Sequence, residues 1–375
     1  MQANTADTPA RIGNHLDDIE TPSLIIDLDA FEQNLSTMAR FARESKIRLR
    51  PHAKTHKCVE VAKRQIALGA VGQCVQKVGE AEVLVAGGIA DVLVSNQIVG
   101  DRKLDRLMAL ASRAKIALCF DDARQIEAAS RAATRAGVTI DALVEIETGM
   151  QRCGVAPGVA ASSLAQQIAH APGLNFAGIQ AYQGKAQHFR KPIERKAAID
   201  AALIAIRKTL DALNDAGLAC ESITGAGTGT FHLEATSGVY TELQCGSYAF
   251  MDADYSANQR DDAPVQFAHS LFLLTTVMSV AGDDWCVVDA GLKSFSGESG
   301  MPLVHERPGL TVVGLSDEHS KIDLAPGTPK PRLGEKLLLI PGHCDPTINL
   351  HDEYVCIRNG IVEAIWPIEA RGASR

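Results

Sequence analysis

Short β-branched runs alternate with longer helical segments between about residues 46 and 250, and this alternation constrains the fold most. The runs span residues 47–53, 71–76, 90–96, 116–121, 139–147, 175–183, 221–229 and 241–250. The stretch 195–217 repeats apolar residues at helical spacing and stops at Gly217, a typical helix end. Eight runs with intervening helices predict an α/β fold, a closed (β/α)8 TIM barrel rather than an open doubly wound sheet.

The chain changes character after about residue 265. The remaining runs are strand-like and are broken by Gly, Pro and Asp, with no long helical pattern, which predicts a mostly-β C-terminal domain. We therefore expect a barrel domain over 22–265 and a β-rich domain over 266–375. A strand near 22–28 is a candidate to join the second domain, and a helix capped near Asp27 or Asp29 follows it. The connection from the seventh to the eighth run is short, so a helix there has the weakest support.

Composition argues against several classes of function. The net charge is −8 and no block of Lys or Arg stands out, which argues against a nucleic-acid partner. No run approaches the roughly 18 apolar residues of a membrane span. The polar N-terminus lacks the apolar region of a secretory signal, which favours a cytoplasmic location by default. Nine scattered cysteines without a CxxC pair predict reduced, mostly buried thiols.

Polar and Gly-rich segments follow five of the eight runs. They are residues 52–56, 147–154, 180–188, 224–230 and 244–248. Because the active site of a TIM barrel lies at the carboxyl ends of its strands, we expect these segments to meet. One of them, "TGAGTGT", interleaves three glycines with threonines. Glycines without Cβ atoms let backbone N–H groups approach an anion, although such a loop is also typical of an ordinary tight turn.

A phosphate loop combined with a lysine at the end of the first run suggests pyridoxal phosphate (PLP). Lys54 is the first candidate for the amine that binds the aldehyde, and Lys57 competes with it three residues later. The plain alternative is a solvated surface lysine.

Six segments together resemble the D-threonine aldolase group, which has the alanine-racemase-type fold of PLP enzymes. They are "RPHAKTHK", "GMQRCGV", "QAYQG", "TGAGTGT", "YTELQCGSYAFMD" and "PGHCDPTINLHDEYV". The resemblance runs from about residue 22 to the C-terminus and is equally close to the 3-hydroxy-D-aspartate aldolases. It implies a PLP- and metal-dependent enzyme that cleaves D-3-hydroxy amino acids to glycine and an aldehyde. It also implies a homodimer.

The resemblance implies roles for individual residues. Lys54 matches the Schiff-base lysine, and Arg152 matches the arginine at the cofactor phenolate. Tyr182 and His188 match residues on the substrate side, with His188 as a candidate base. The other implied cofactor contacts are Gln76, Thr228, Gly229, Gln244, Gly246, Ser247 and Tyr248. Gln244 stands where racemases place an arginine facing the pyridine nitrogen, so we hypothesise that a second electrophile matters more here.

A divalent metal is the candidate for that electrophile. "HCDPT" places His343 and Asp345 two residues apart, and in an extended segment both would face one side. An imidazole with a carboxylate suits Mg²⁺ or Mn²⁺, whereas the D-serine dehydratase relatives have a softer His-x-Cys pair. A turn-capping Asp beside a core His is the plain alternative. His351 and Asp352 are either supporting partners or loop residues.

Several alternatives remain at this stage. A dehydratase acting on D-3-hydroxy amino acids would share the cofactor and substrate class. A non-catalytic PLP-binding barrel would lack the second domain and "HCDPT", and a plain metal hydrolase would need more ligands at strand ends. The substrate side chain is open, with His56, His188 and Arg190 as candidates to bind a second carboxylate.

Overall fold

The computed structural model describes residues 8–259 and 263–375. The strands are β1 Ser23–Asp27, β2 Arg48–Leu49, β3 Gln73–Val75, β4 Asp91–Val94, β5 Lys115–Phe120, β6 Ile140–Glu145, β7 Leu174–Ala181, β8 Ser222–Gly225, β9 Glu242–Leu243, β10 Leu271–Ser279, β11 Trp285–Val288, β12 Leu303–Val304, β13 Leu310–Leu315, β14 Ser320–Leu324, β15 Lys336–Ile340, β16 Glu353–Arg358 and β17 Ile361–Pro367. The α-helices are α1 Leu28–Glu44, α2 Val59–Ala67, α3 Val78–Ala86, α4 Asp101–Leu110, α5 Ala123–Ala136, α6 Val159–His170, α7 Pro192–Asp215, α8 Phe231–Thr236, α9 Ala253–Ser256 and α10 Cys344–Ile348. Short 3-10 turns span Leu16–Asp18, Lys185–His188 and Ser247–Ala249.

Eight parallel strands form the barrel in the order β2-β9-β8-β7-β6-β5-β4-β3. A parallel bridge between His52 and Cys74 closes the ring, and the Cys74 amide donates to the Pro51 carbonyl at 2.8 Å. The predicted barrel is therefore confirmed. The first run was expected to extend over 47–53, but β2 has only two residues, although the Arg50 and His52 amides beyond it still donate to the Leu243 and Cys245 carbonyls at 2.9 and 3.2 Å.

Helices α5 and α7 end at residues whose types are typical of helix ends. The Asp122 side chain accepts a hydrogen bond from the Arg124 amide at the start of α5, and Gly137 ends that helix in the left-handed region at φ 66°. Helix α7 ends just before Gly217, which has φ +71°. The short connection after β8 contains only the six-residue α8.

The second sheet contains the N-terminal strand as well as the C-terminal ones. Strand β1 pairs antiparallel with β10 and parallel with β16, so the first strand of the chain lies inside this sheet. The Asp27 carboxylate then accepts from the Ala30 amide at 3.0 Å and caps α1. Strands β12 and β14 were not predicted, because β12 has only two residues and β14 only five, with just two apolar side chains.

The thiols agree with the compositional expectation. All nine cysteines are free and seven of them are buried. Within residues 8–259 and 263–375, each helix is either too short or too polar to cross a bilayer.

Candidate active site

A cavity of about 110 Å³ lies at the carboxyl ends of the barrel strands. It is lined by His52, Lys54, Thr55, Gln76, Ser95, Arg152, Gln180, Tyr182, Ala226, Gly227, Thr228, Gln244, Gly246, Ser247 and Tyr255. The polar segments expected from the sequence therefore meet at one end of the barrel. Parallel strands bring these segments together because their carboxyl ends share one rim.

The amine of Lys54 faces this cavity and forms a close ion pair with the Asp345 carboxylate. Burial opposes the charged amine, but the negative charge of Asp345 outweighs it and raises the pKa of Lys54 above its ordinary value. The Lys57 amine instead lies 2.5 Å from Glu80 Oε1 in a buried ion pair. Of the two competing lysines, only Lys54 borders the cavity.

His52 forms an uncharged wall of the cavity. Its Nδ1 accepts from the Lys54 amide at 3.3 Å, and its Nε2 lies 2.9 Å from the Gln76 amide nitrogen and 3.2 Å from Ser95 Oγ. Burial, with a smaller contribution from the charge of Lys54, lowers the pKa of His52 well below its ordinary value. The imidazole is therefore neutral and fixes the main chain that presents Lys54.

The Gly-rich loop forms a close-packed cradle with a free hydroxyl. A Cβ on Gly227 would lie 2.5 Å from Gln187 Oε1, and one on Gly246 would lie 2.8 Å from the His52 carbonyl. Thr228 Oγ1 is buried at the cavity without a hydrogen-bond partner among the described residues. A buried hydroxyl without a partner is costly, and a phosphate oxygen would satisfy it. These residues therefore fit the phosphate end of PLP.

Gly229 and Tyr248 differ from the other predicted cofactor contacts. The Gly229 amide already donates to Gln187 Oε1 at 2.9 Å. The Tyr248 side chain is buried in the core, where its hydroxyl accepts from Gln65 Nε2 at 3.1 Å. Neither is among the described residues that line the cavity. Sequence position predicted both near the carboxyl ends of the barrel strands, but their hydrogen-bonding groups bind Gln187 and Gln65 instead of facing the cavity.

Two further pairs of cavity residues suit the ring of the cofactor, namely Arg152 with Tyr182 and Gln180 with Gln244. The Arg152 guanidinium lies 5.6 Å from the centroid of the Tyr182 ring and 3.7 Å from a Glu145 carboxylate oxygen. The opposite charge of Glu145 and the half-buried Tyr182 ring fix the direction of this guanidinium. Gln244 and Gln180 exchange two amide hydrogen bonds, of 2.7 and 3.0 Å. The cavity therefore presents a neutral amide pair where racemases place a cation.

His343 and Asp345 form a candidate metal pair next to Lys54. His343 Nε2 lies 4.0 Å from Asp345 Oδ1, and its Nδ1 lies 2.8 Å from Asp252 Oδ2. The extended-segment explanation for this pair is wrong, because α10 begins at Cys344. His343 is the extended residue that precedes the helix, and the first helical turn directs Asp345 back towards the imidazole.

The ionisation of these groups suits a metal such as Mg²⁺ or Mn²⁺. Burial alone would raise the pKa of Asp345, but the charge of Lys54 holds it well below its usual range, so Asp345 is an ionised carboxylate. Asp252, His343 and Cys344 also offer ligand atoms within 4.8 Å of one another. Burial raises the pKa of the Cys344 thiol well above its ordinary value, which disfavours the thiolate that a soft metal needs.

The candidate cations for a second substrate carboxylate are placed differently from expectation. His56 is fully buried, and burial lowers its pKa to about 4, so the hypothesis that it binds a carboxylate is wrong. Arg190 donates to the Asp254 carboxylate, which already pairs the charge of the guanidinium, and also to Asn258. His188 is half exposed and is not among the described residues that line the cavity, but its ring centroid lies 5.9 Å from that of Tyr255, which does line it. His188 Nδ1 lies 2.5 Å from Asp254 Oδ2.

Sequence reasoning missed the carboxylates that hold the two imidazoles. Asp252 and Asp254 follow the eighth run two residues apart, in "MDADYS". This D-x-D pattern was the available signal, but nothing in the sequence shows that it packs against His343 or His188. His351 Nε2 lies 2.6 Å from the Ser294 carbonyl, and Asp352 pairs with Arg371, so these two hold a loop.

Comparisons with known proteins agree with this geometry. The family model "Alanine racemase, N-terminal domain" matches residues 26–254, and "Putative serine dehydratase domain" matches residues 270–357. A D-threonine aldolase of Arthrobacter sp. is 49% identical, with 98% of this chain and 97% of that protein covered. A 3-hydroxy-D-aspartate aldolase of Paracoccus denitrificans is 46% identical, with 98% and 96% covered.

Solved structures give the same placement. The crystal structure of a D-threonine aldolase from Filomicrobium marinum has a TM-score of 0.97 at 50% identity, covering 98% of this chain and 100% of that chain. A D-threo-3-hydroxyaspartate dehydratase of Delftia sp. is more distant, at 27% identity over 88% of this chain and 92% of that protein. The chain therefore belongs to the alanine racemase N-terminal domain family and, within it, to the group of D-threonine aldolases and 3-hydroxy-D-aspartate aldolases.

Proposed function

We propose that this protein is a carbon–carbon lyase that uses PLP and a divalent metal to cleave D-3-hydroxy amino acids to glycine and an aldehyde. The names of its relatives at 46–49% identity support this reaction class. The observation that supports it most in the structure is that the Lys54 amine contacts Asp345 directly. The residue that would hold the cofactor and the residues that would hold the metal thus share one site.

Each cavity residue would contact a different part of the cofactor. Lys54 would hold the cofactor through its amine, and Thr228 and Ser247 would donate to its phosphate. Arg152 would contact the phenolate, and the Gln180–Gln244 amide pair would face the pyridine nitrogen. Bound PLP supplies an aldehyde that joins the substrate amine and a ring that withdraws electrons from Cα. Gln76 and Tyr182 would fill the remaining walls, and any contribution of Gly246 and Tyr248 would come from the main chain. Gly229, whose amide already donates to Gln187, would act only by shaping the loop.

The bond that breaks lies between Cα and Cβ of the substrate. His343 and Asp345 would hold Mg²⁺ or Mn²⁺, which lowers the pKa of a bound hydroxyl. His188 Nε2 is the atom left to accept the proton of that hydroxyl, because Nδ1 is engaged by Asp254. The electron pair of the broken bond stays on Cα, which then takes up a proton to give glycine, while Cβ leaves as the aldehyde carbon.

We also propose a homodimer in which the domain 266–375 packs on the barrel domain 22–265 of a second copy. Three apolar side chains of the second domain, Leu292, Met301 and Leu303, are 44–49% exposed, which a partner surface would cover. Light scattering of the purified protein should then give twice the chain mass of 39.9 kDa. A mass equal to one chain would overturn this part of the proposal.

Product analysis separates the aldolase from its alternatives. The PLP-loaded protein is incubated with D-threonine and with D-3-hydroxyaspartate, with Mn²⁺ or with a chelator. Glycine and an aldehyde, formed only with the metal, support the proposal. Ammonia and a keto acid would instead identify a dehydratase, as the Delftia relative is named. Bound PLP without turnover of either substrate would favour a binding protein.

A further inference from the structure

We propose that Asp252 and Asp254 are paired positioning residues, one for each of the imidazoles of His343 and His188. Asp252 orients His343, and Asp254 orients His188. The inference deepens the proposed function and rests on it, since it assigns the geometry between the metal and the proton acceptor. Both carboxylates lie at helix α9, so one short element would fix both imidazoles.

Asp252 is fully buried and has a fixed set of partners. Its Oδ1 accepts from the Tyr255 amide at 2.9 Å as the N-cap of α9. Its Oδ2 accepts from the Cys344 amide at 3.0 Å and lies 2.8 Å from His343 Nδ1. A carboxylate in this place requires the proton on Nδ1, which leaves the Nε2 lone pair for a metal on the Asp345 side. Carboxylates that orient a ligating histidine in this way increase its affinity for the metal.

Asp254 has the same relation to His188. Its carboxylate is 5% exposed, and Oδ2 lies 2.5 Å from His188 Nδ1. The other oxygen, Oδ1, accepts from the Arg190 guanidinium, whose Nη1 also donates to Asn258 at 2.8 Å. Arg190 therefore fixes the carboxylate, and the carboxylate fixes the imidazole. Because Nδ1 donates to Asp254, Nε2 of His188 is the atom able to accept a proton.

The two imidazoles are related through one rigid segment. The Ala253 amide donates to the Pro341 carbonyl at 3.0 Å and the Asp254 amide to the Gly342 carbonyl at 3.1 Å, which ties α9 to the residues before His343. The ring of Tyr255 has its centroid 5.9 Å from that of His188 and 6.3 Å from that of His343. A shift of α9 would move both imidazoles together, so their separation is preserved.

Mn²⁺ binding tests whether Asp252 orients His343, and it needs no substrate turnover. Free Mn²⁺ is followed by electron paramagnetic resonance during titration of the PLP-loaded wild type, D252N, D252S, D254N and the control D200N, an exposed carboxylate on α7. Asn and Ser both retain the N-cap of α9, so D252N and D252S should fold. We expect both to raise the Kd for Mn²⁺ by about 10- to 100-fold. D254N and D200N should remain within about twofold of wild type. An unchanged Kd in D252N and D252S would overturn the assignment of Asp252.

A double-mutant cycle on kcat tests whether Asp254 acts through His188. We expect D254N and H188N each to lower kcat by roughly tenfold or more, and D254N to cost less than about twofold in the H188N background. Losses that multiply would show that Asp254 acts independently of His188 and would overturn its assignment. If the wild type cleaves no D-3-hydroxy amino acid, the proposed function fails, whereas the Mn²⁺ titration still decides for or against positioning by Asp252.

Discussion

Neighbouring charges decide which side chains of the cavity are ionised. Lys54 and Asp345 each favour the charged form of the other, while His52, 7% exposed, is held neutral. A neutral imidazole, a positive amine and a negative carboxylate therefore lie side by side, and the amine meets no second positive charge on His52. Sequence position alone could place Lys54 and Asp345 at functional sites, but their direct contact depends on how α10 packs over the barrel.

The hydroxyl of Thr228 provides a test of the phosphate cradle. Its Oγ1 is buried and without a partner among the described residues. T228V keeps the side-chain shape and removes the hydroxyl, so we expect the Kd for PLP to rise about 10-fold or more, as for loss of a hydrogen bond to a charged group. The melting temperature of the cofactor-free protein should not fall. Equal PLP affinity in T228V and wild type would contradict the assignment.

Glu234 predicts a dependence of stability on pH. Burial raises its pKa to about 7 from 4.5, although Thr230 donates to it at 2.7 Å. An acid whose pKa is raised by folding binds a proton preferentially in the native state, so its contribution is present below pH 4.5 and is lost as pH rises to about 7. Relative to wild type, E234Q should gain roughly 2–3 kcal/mol of unfolding free energy between pH 5 and pH 8. Denaturant titration at both pH values checks this, and a constant difference would refute it.

At the scale of elements, the shape of the Gly-rich loop depends on the side chain and the backbone of Gln187. Gln187 accepts from the Gly229 amide through Oε1 and donates to Thr230 Oγ1 at 2.8 Å. A Cβ on Gly229 would lie 2.6 Å from the Gln187 carbonyl oxygen and 3.0 Å from its Cα. The loop therefore owes its shape to contact with the turn Lys185–His188 rather than to flexibility.

This contact makes Gly229 intolerant of substitution. G229A should lower the unfolding free energy by about 1–3 kcal/mol, as overpacking does, because the clash is with backbone. G314A is the matched control, since its Cβ would meet only the Lys321 Cβ at 3.9 Å. Thermal denaturation of the two variants compares them. A melting temperature of G229A equal to that of G314A would show that the loop can move aside.

Elements with strong periodicity could be predicted from sequence, and elements set by single contacts could not. Helix α7 and strands β5 to β7 follow their apolar patterns and agree closely with the predicted runs. Strand β2 is shorter than the predicted run, and the eighth run turns into the 3-10 turn Ser247–Ala249 after Gly246. Helix α10 was missed because its five residues are too few to show a period.

At the scale of the whole molecule, the first strand joins the two parts of the structure. Strand β1 lies between β10 and β16, while α1, which follows it directly, packs on the barrel. The sequence suggested that this strand could belong to the second sheet, but its position between two C-terminal strands depends on long-range pairing that no local pattern encodes. The barrel and the second sheet should therefore unfold together.

Ile25 in β1 tests this coupling. It is fully buried against the second sheet, so I25A should cost about 2–5 kcal/mol of unfolding free energy. Far-UV circular dichroism reports mainly the barrel helices, and fluorescence of Trp285 in a W366F background reports the second sheet. Trp366 is removed because its ring contacts Phe31 of α1 and Arg64 of α2. We expect both signals to shift by the same amount and to keep one midpoint. Two separated midpoints in I25A would mean that the parts unfold independently.

Borohydride reduction of the PLP-loaded protein, followed by peptide mass mapping, tests the central claim most directly. Reduction fixes the cofactor covalently to whichever amine holds it. The account predicts a pyridoxyl group on Lys54, since its amine borders the cavity next to Asp345. A pyridoxyl group on Lys57 or on another lysine, with Lys54 unmodified, would contradict the account.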